Sequence, residues 1–243
     1  HSFPTRRSSD LLKNNNGDDV FLNVVDKDSS DVIIVVHGFD SNKCCSAFRF
    51  FSENLDKSIV SFDLPAHGES NEKLLLKNCF DDLLLVDSYV RERFTGKNIS
   101  LFASSFGSYV VLNHLKNNSS LCYRGIFLKS VAVKCDKIFR DVIIDDMNSF
   151  KEKGFFVRNR KKEMTIFYEF YDEMVNNKIK CSDIDRDRDI YVFHGTNDDL
   201  ALFSDLDEIK LSNVHIISMN GAGHSFTEEE FSIVVDKINS VLF

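Results

Sequence analysis

Apolar positions follow two alternating rhythms along this chain. Short runs rich in β-branched residues, VFLNVV (20–25), VIIVVHG (32–38), SIVSFDL (58–64), ISLFAS (99–104), RGIFLKSVAV (124–133), DIYVFHG (189–195) and VHIISMN (214–220), read as strands. Between them lie segments at helical spacing: AFRFFSENL (47–55), CFDDLLLVDSYVRERF (79–94), FGSYVVLNHLKNN (106–118) and TEEEFSIVVDKINSVL (227–242). This order predicts βαβ units around a mostly parallel sheet with helices on both faces. Residues 32–36 are apolar at every position, as a central strand covered on both sides requires. The 79–94 pattern puts Asp81 and Asp82 in a first turn and Arg91 and Arg93 in a last turn, complementing a helix dipole. Thr227 and Glu230 have the spacing of a capping box.

Two stretches break the rhythm. Between Cys135 and Arg188 charged and aromatic helical patterns take over, notably EMTIFYEFYDEMV (163–175), which predicts a small helical cap inserted at about 136–188. Residues 1–11, HSFPTRRSSDL, have no periodicity and are similar to a translated sequencing adapter. They are expected to form no part of the fold, leaving 12–243 as one domain. No initiator Met follows them, so the natural product is expected to begin upstream of Leu12, where a signal peptide would also have stood.

A length of 243 residues with 43% hydrophobic content suits a single domain with a substantial core. The formal net charge is −8, and −9 without residues 1–11. An acidic surface disfavours phosphate backbones, and RNRKK (158–162) is too small a basic cluster to reverse that, so no nucleic-acid partner is expected. No apolar run approaches the roughly 20 residues of a bilayer span. The six cysteines show neither CxxC spacing nor the density of a disulfide scaffold, which predicts reduced thiols and a cytoplasmic location. His, Cys, Asp and Glu do not converge at metal-ligand spacing, so neither metal nor cofactor is expected.

Candidate chemistry sits where ISLFAS turns into the following helix. A serine used as a nucleophile must be exposed on a sharp strand-to-helix turn, whose crowding demands small residues two positions to either side. Ser105 is flanked in this way by Ala103 and Gly107, whereas Ser104 has Phe102 and Phe106. Ala103 departs from the glycine usual in this pattern, and a bare A-x-S-x-G is also compatible with a helix N-cap serine. Three other strand ends add HGFD, HGTNDD with Asp198, and NGAGHSF with His224 on a loop flanked by glycine.

Taken together, VVHGFDSN, FDLPAHGES, ASSFGS, FHGTNDDLA and GAGHSF resemble the recurring motifs of the α/β-hydrolase superfamily, in its order, from Val20 to Phe243. The closest resemblance is to small bacterial hydrolases of the serine aminopeptidase and monoacylglycerol lipase-like group. The resemblance implies an α/β-hydrolase fold and a Ser-His-Asp triad: Ser105 as nucleophile, His224 as general base and acid, Asp198 as the orienting carboxylate. The N–H groups of Phe39 and Phe106 would form the oxyanion hole. It implies a serine hydrolase acting on a small-molecule ester or acyl substrate, with peptide or thioester cleavage by the same triad as alternatives. A non-catalytic binding protein on the same scaffold is a further one. Asp199 is the alternative acid, His37, His67 and His194 read as loop-ordering residues, and His114 and His215 as helix and strand residues. Phe155, Phe156, Phe167, Phe170 and Tyr171 either roof an acyl pocket or pack the insertion onto the sheet edge, and helical spacing favours packing.

Overall fold

The computed structural model describes residues 6–243. Among the described residues ten strands and seven α-helices follow in chain order: β1 (Arg6–Lys13), β2 (Asp19–Asp26), β3 (Asp31–Val36), α1 (Ser46–Asn54), β4 (Ser58–Phe62), α2 (Leu76–Arg93), β5 (Asn98–Ser104) and α3 (Phe106–Asn117). After β6 (Ile126–Lys129) come α4 (Cys135–Ile138), α5 (Met147–Lys153), β7 (Phe155–Asn159), β8 (Glu163–Phe167) and α6 (Tyr168–Asn176). The chain ends with β9 (Ile190–Gly195), β10 (Val214–Met219) and α7 (Glu228–Val241). Eight strands form one sheet in the order β1-β2-β4-β3-β5-β6-β9-β10. From β4 to β10 neighbours are parallel, and β2 alone runs against the strands beside it.

Every residue of β3 is buried, and the reason is the period of two. Val32, Ile34 and Val36 face a core shared with Leu83, Val86 and Val90 of α2 and Tyr109 and Val110 of α3. Ile33 and Val35 face the opposite core, with Phe51 of α1 and Phe231, Val234 and Ile238 of α7. Each such side chain contributes about 1.5–3 kcal/mol on burial, which fixes β3 at the centre. The Thr227 and Glu230 capping box at the start of α7 is present as the sequence predicts.

Three expectations need correction. Residues 6–11 belong to the fold: they form most of β1, an edge strand paired antiparallel to β2, while residues 1–5 lie outside the described residues. Backbone pairing asks little of side chains, and those of β1 are mostly exposed. Arg93 and Tyr89 of α2 both hold Asp10. The second correction concerns 163–175, where a period of two (Met164 and Ile166 buried, Glu163 and Thr165 exposed) precedes the helical one. The insertion therefore contains the β7–β8 hairpin as well as helices. Third, α2 starts at Leu76, so Asp81 and Asp82 fall in its second turn. The Leu76 N–H instead donates to the Glu173 carboxylate of α6 at 2.6 Å.

Asp82 is fully buried beside Glu72, and the Asn14 side chain donates to both carboxyls at 3.0 Å. Burial above all, and the neighbouring Glu72 against the Asn14 amide, push the Asp82 carboxyl well above the usual carboxylate range. The folded protein thus keeps a proton that the unfolded chain releases near pH 4, and stability falls as pH rises from there towards the folded-state value. Asp82→Asn, which retains an acceptor for Asn14 and can donate to Glu72, should raise stability at pH 8 by about 1–3 kcal/mol. Urea midpoints should show this gain shrinking towards pH 4; a variant less stable than the parent at pH 8 contradicts the assignment.

Candidate active site

Each parallel strand from β3 to β6 leads, at its C-terminal end, into a residue of positive φ. These are Asp40 (56°), Ala66 (63°), Ser105 (53°) and Ser130 (48°), following β3, β4, β5 and β6. Such conformations cost on the order of 1–3 kcal/mol each in a side-chain-bearing residue and persist only where surroundings impose them. Here they line one rim of the sheet.

Ser105, at φ 53° and ψ −120°, reverses the chain in one residue between β5 and α3. Its N–H donates to the Lys129 carbonyl at 2.9 Å. Gly107 makes the turn possible, because a Cβ there would lie 2.5 Å from the His37 carbonyl oxygen and 2.6 Å from that of Val36. Although Ser105 occupies the N-cap position of α3, its hydroxyl caps no N–H. It lies 3.0 Å from Nε2 of His224.

His224 Nδ1 lies 2.9 Å and 3.0 Å from the two Asp198 oxygens. An ionised carboxylate only accepts, so Nδ1 carries the proton and Nε2 accepts from the Ser105 hydroxyl. Asp198 has a fully buried side chain. Burial pushes its carboxyl up, but the hydrogen bonds from His224, Ala201 N–H (2.9 Å) and Leu200 N–H (3.0 Å) outweigh that and hold it below the usual range. The structure thus brings Ser105, His224 and Asp198 into one hydrogen-bonded line, and leaves Asp199 exposed outside it. Gly195 sets the spacing of the last two: a Cβ there would clash with Ala222 O and lie 2.6 Å from Gly223 O, in the His224 loop.

Phe39 follows Gly38, at which a Cβ would come within 3.2 Å of the Ser105 Cβ. Among the described residues, no acceptor takes the Phe39 N–H or the Phe106 N–H. Their rings meet edge to face at 5.8 Å, and both pack on Phe139 of the insertion. Neighbouring histidines serve the backbone. His37 donates from Nδ1 to Gly38 O and accepts the Leu64 N–H, and burial pushes its pKa down to about 3. His67 bridges Pro65 O and the Asp40 N–H, and His194 bridges Ala201 O and the Val131 N–H. Burial lowers both.

A cavity of about 360 Å³ opens beside Ser105 and His224, lined by Gly38, Phe39, Lys129 and Phe226, with Ile143 and Arg158 from the insertion. Of Phe155, Phe156, Phe167, Phe170 and Tyr171, none lines it. Phe170 packs on Phe106 and Phe139, Phe156 and Tyr171 on Phe150, and Phe155 is exposed. Two lining cations escaped the sequence reading. Arg158 of β7 makes a bidentate pair with Asp40, Nε donating to Oδ1 at 3.1 Å and Nη2 to Oδ2 at 2.6 Å, and Lys129 donates to the His224 carbonyl at 2.7 Å. The only sequence signal for Lys129 is a charged residue closing an apolar strand. Among the described residues, His, Cys, Asp and Glu form no metal-holding group, all six cysteines are free, and no helix is long and apolar enough to cross a membrane.

No protein-family model matches the sequence, and no curated protein does. Solved structures do match. Est1E from Butyrivibrio proteoclasticus with ferulic acid bound is similar with a TM-score of 0.78 at 15% identity, over 95% of this chain and 97% of that one. Mouse alpha/beta hydrolase domain-containing protein 10 is similar at 0.73 and 14%, over 97% and 98%. A serine hydrolase without lid from Xanthomonas campestris is similar at 0.68 and 15%, over 100% and 96%.

The geometry yields a direct test. Asp198→Asn should slow phosphonylation of Ser105 by a fluorophosphonate about 10³–10⁴-fold, because the imidazole loses its tautomer lock. Asp199→Asn should leave the rate within about threefold, and equal losses in the two variants would assign the acid wrongly. With its mostly parallel sheet, covering helices and single-residue turn after β5, the chain has the α/β-hydrolase fold.

Proposed function

We propose that this protein is a serine hydrolase that cleaves carboxylic esters through an acyl-enzyme. The observation that carries the reading is the unbroken relay from Asp198 through His224 to the Ser105 hydroxyl, with both heavy-atom links at 2.9–3.0 Å. That spacing suits proton transfer to a general base. Ser105 attacks the ester carbonyl as His224 takes its proton, and Asp198 stabilises the imidazolium. The Phe39 and Phe106 N–H groups receive the oxyanion; one such donor is worth about 3–4 kcal/mol where it has been removed. His224 then protonates the leaving alcohol, and a water activated by the same imidazole releases the acid and restores Ser105. Ester cleavage is favoured over peptide and thioester cleavage by the company of esterases among the structural neighbours.

A fluorophosphonate should label the protein at Ser105, and Ser105→Ala should abolish labelling without loss of fold. The protein should turn over a short-chain nitrophenyl ester and leave an aminoacyl anilide intact. Labelling that persists in Ser105→Ala would place the nucleophile elsewhere, and the opposite substrate preference would make the protein a peptidase.

A further inference from the structure

Lys129 is buried, with 6% of its surface exposed, at the end of β6 in the wall of the Ser105 cavity. Its ammonium is held by the His224 carbonyl at 2.7 Å and Ser130 Oγ at 3.2 Å, and lies 4.4 Å from the centre of the Phe226 ring. No carboxylate of the described residues comes within ion-pair distance of it, unlike Lys43, which pairs with Asp63, or Arg158, which pairs with Asp40. A buried cation with no carboxylate in contact with it costs several kcal/mol of desolvation.

The charge balance of the cavity points the same way. In a chain of formal charge −8, the cavity wall carries two cations, Lys129 and Arg158, against the single carboxylate of Asp40. The Asp198 carboxylate is already committed to His224. Burial lowers the Lys129 ammonium to about 8, with Asp198 and Glu230 acting against that, so it remains charged at neutral pH. A cavity of this size holds a short acyl chain together with one polar terminus.

We infer that the protein prefers esters whose acyl part ends in a carboxylate, and that Lys129 is the residue that recognises that anion. The inference rests on the hydrolase reading and adds the substrate class. Lys129 also braces the His224 loop, a role it shares with Ser130, whose hydroxyl donates to the same carbonyl at 2.9 Å. The two roles separate in the ratio of two rates.

The test compares the nitrophenyl hemiester of adipic acid with the nitrophenyl ester of 6-methylheptanoic acid, its neutral isostere. Wild-type kcat/KM should favour the hemiester at least about tenfold. Lys129→Met should lower both rates through the His224 loop and bring the ratio to one or below, whereas Ser130→Ala should lower both and preserve the ratio. A wild-type ratio at or below one overturns the inference while leaving the hydrolase reading intact. A ratio unchanged in Lys129→Met reduces Lys129 to a brace and overturns it as well. Should that variant not fold, the wild-type ratio decides. Turnover of neither ester, despite labelling at Ser105, removes ester specificity and this inference together.

Discussion

A single residue in a disfavoured conformation organises this molecule. At Ser105 the chain must leave the centre of the sheet and enter α3 without an intervening loop, and left-handed φ is the cost. The cost is met by β3 and β6 on either side of β5: β3 brings carbonyls against Gly107, and the last residue of β6 accepts the Ser105 N–H. Close packing along β3, β5 and β6 is therefore what keeps one hydroxyl clear of helix capping and free to meet an imidazole. The strain is not isolated, since three adjacent strand ends share it, and the rim that bears it also bears the cavity.

Histidine is used in two distinct ways around that rim. His37, His67 and His194 are buried, each donating from one ring nitrogen to a carbonyl and accepting a backbone N–H at the other. A ring holding both kinds of partner must stay neutral, and burial reinforces this. These residues act as fixed two-ended connectors that satisfy backbone groups where the loops leave no ladder to do so. His224 differs in that its two partners are side chains, the Asp198 carboxylate at Nδ1 and the Ser105 hydroxyl at Nε2.

Much of this could be read from the chain because it rests on local periodicity. The unbroken apolar run of 32–36, the small residues around Ser105 and the capping box of α7 are local statements, and the structure agrees with each. What escaped depends on partners distant in sequence. β1 pairs through its backbone, to which side-chain patterning is nearly blind. The strand at 163–167 hid because its period of two merges into the helical period that follows. Arg158 reads as one more charge in a basic run until the hairpin carries it to Asp40, 118 residues away. Lys129 acquires meaning only when the His224 loop, 95 residues on, folds over it.

The carboxylate of Glu173 at the head of α2 has a wider consequence. Helix starts leave N–H groups without partners, and α2 is supplied from α6, 97 residues later, with no side chain of its own serving as cap. The central scaffold and the segment between β6 and β9 are thus joined at a contact that neither supplies alone. Replacing the segment between β6 and β9 would leave an eighteen-residue helix with a frayed beginning, so change in that segment is coupled to how α2 starts.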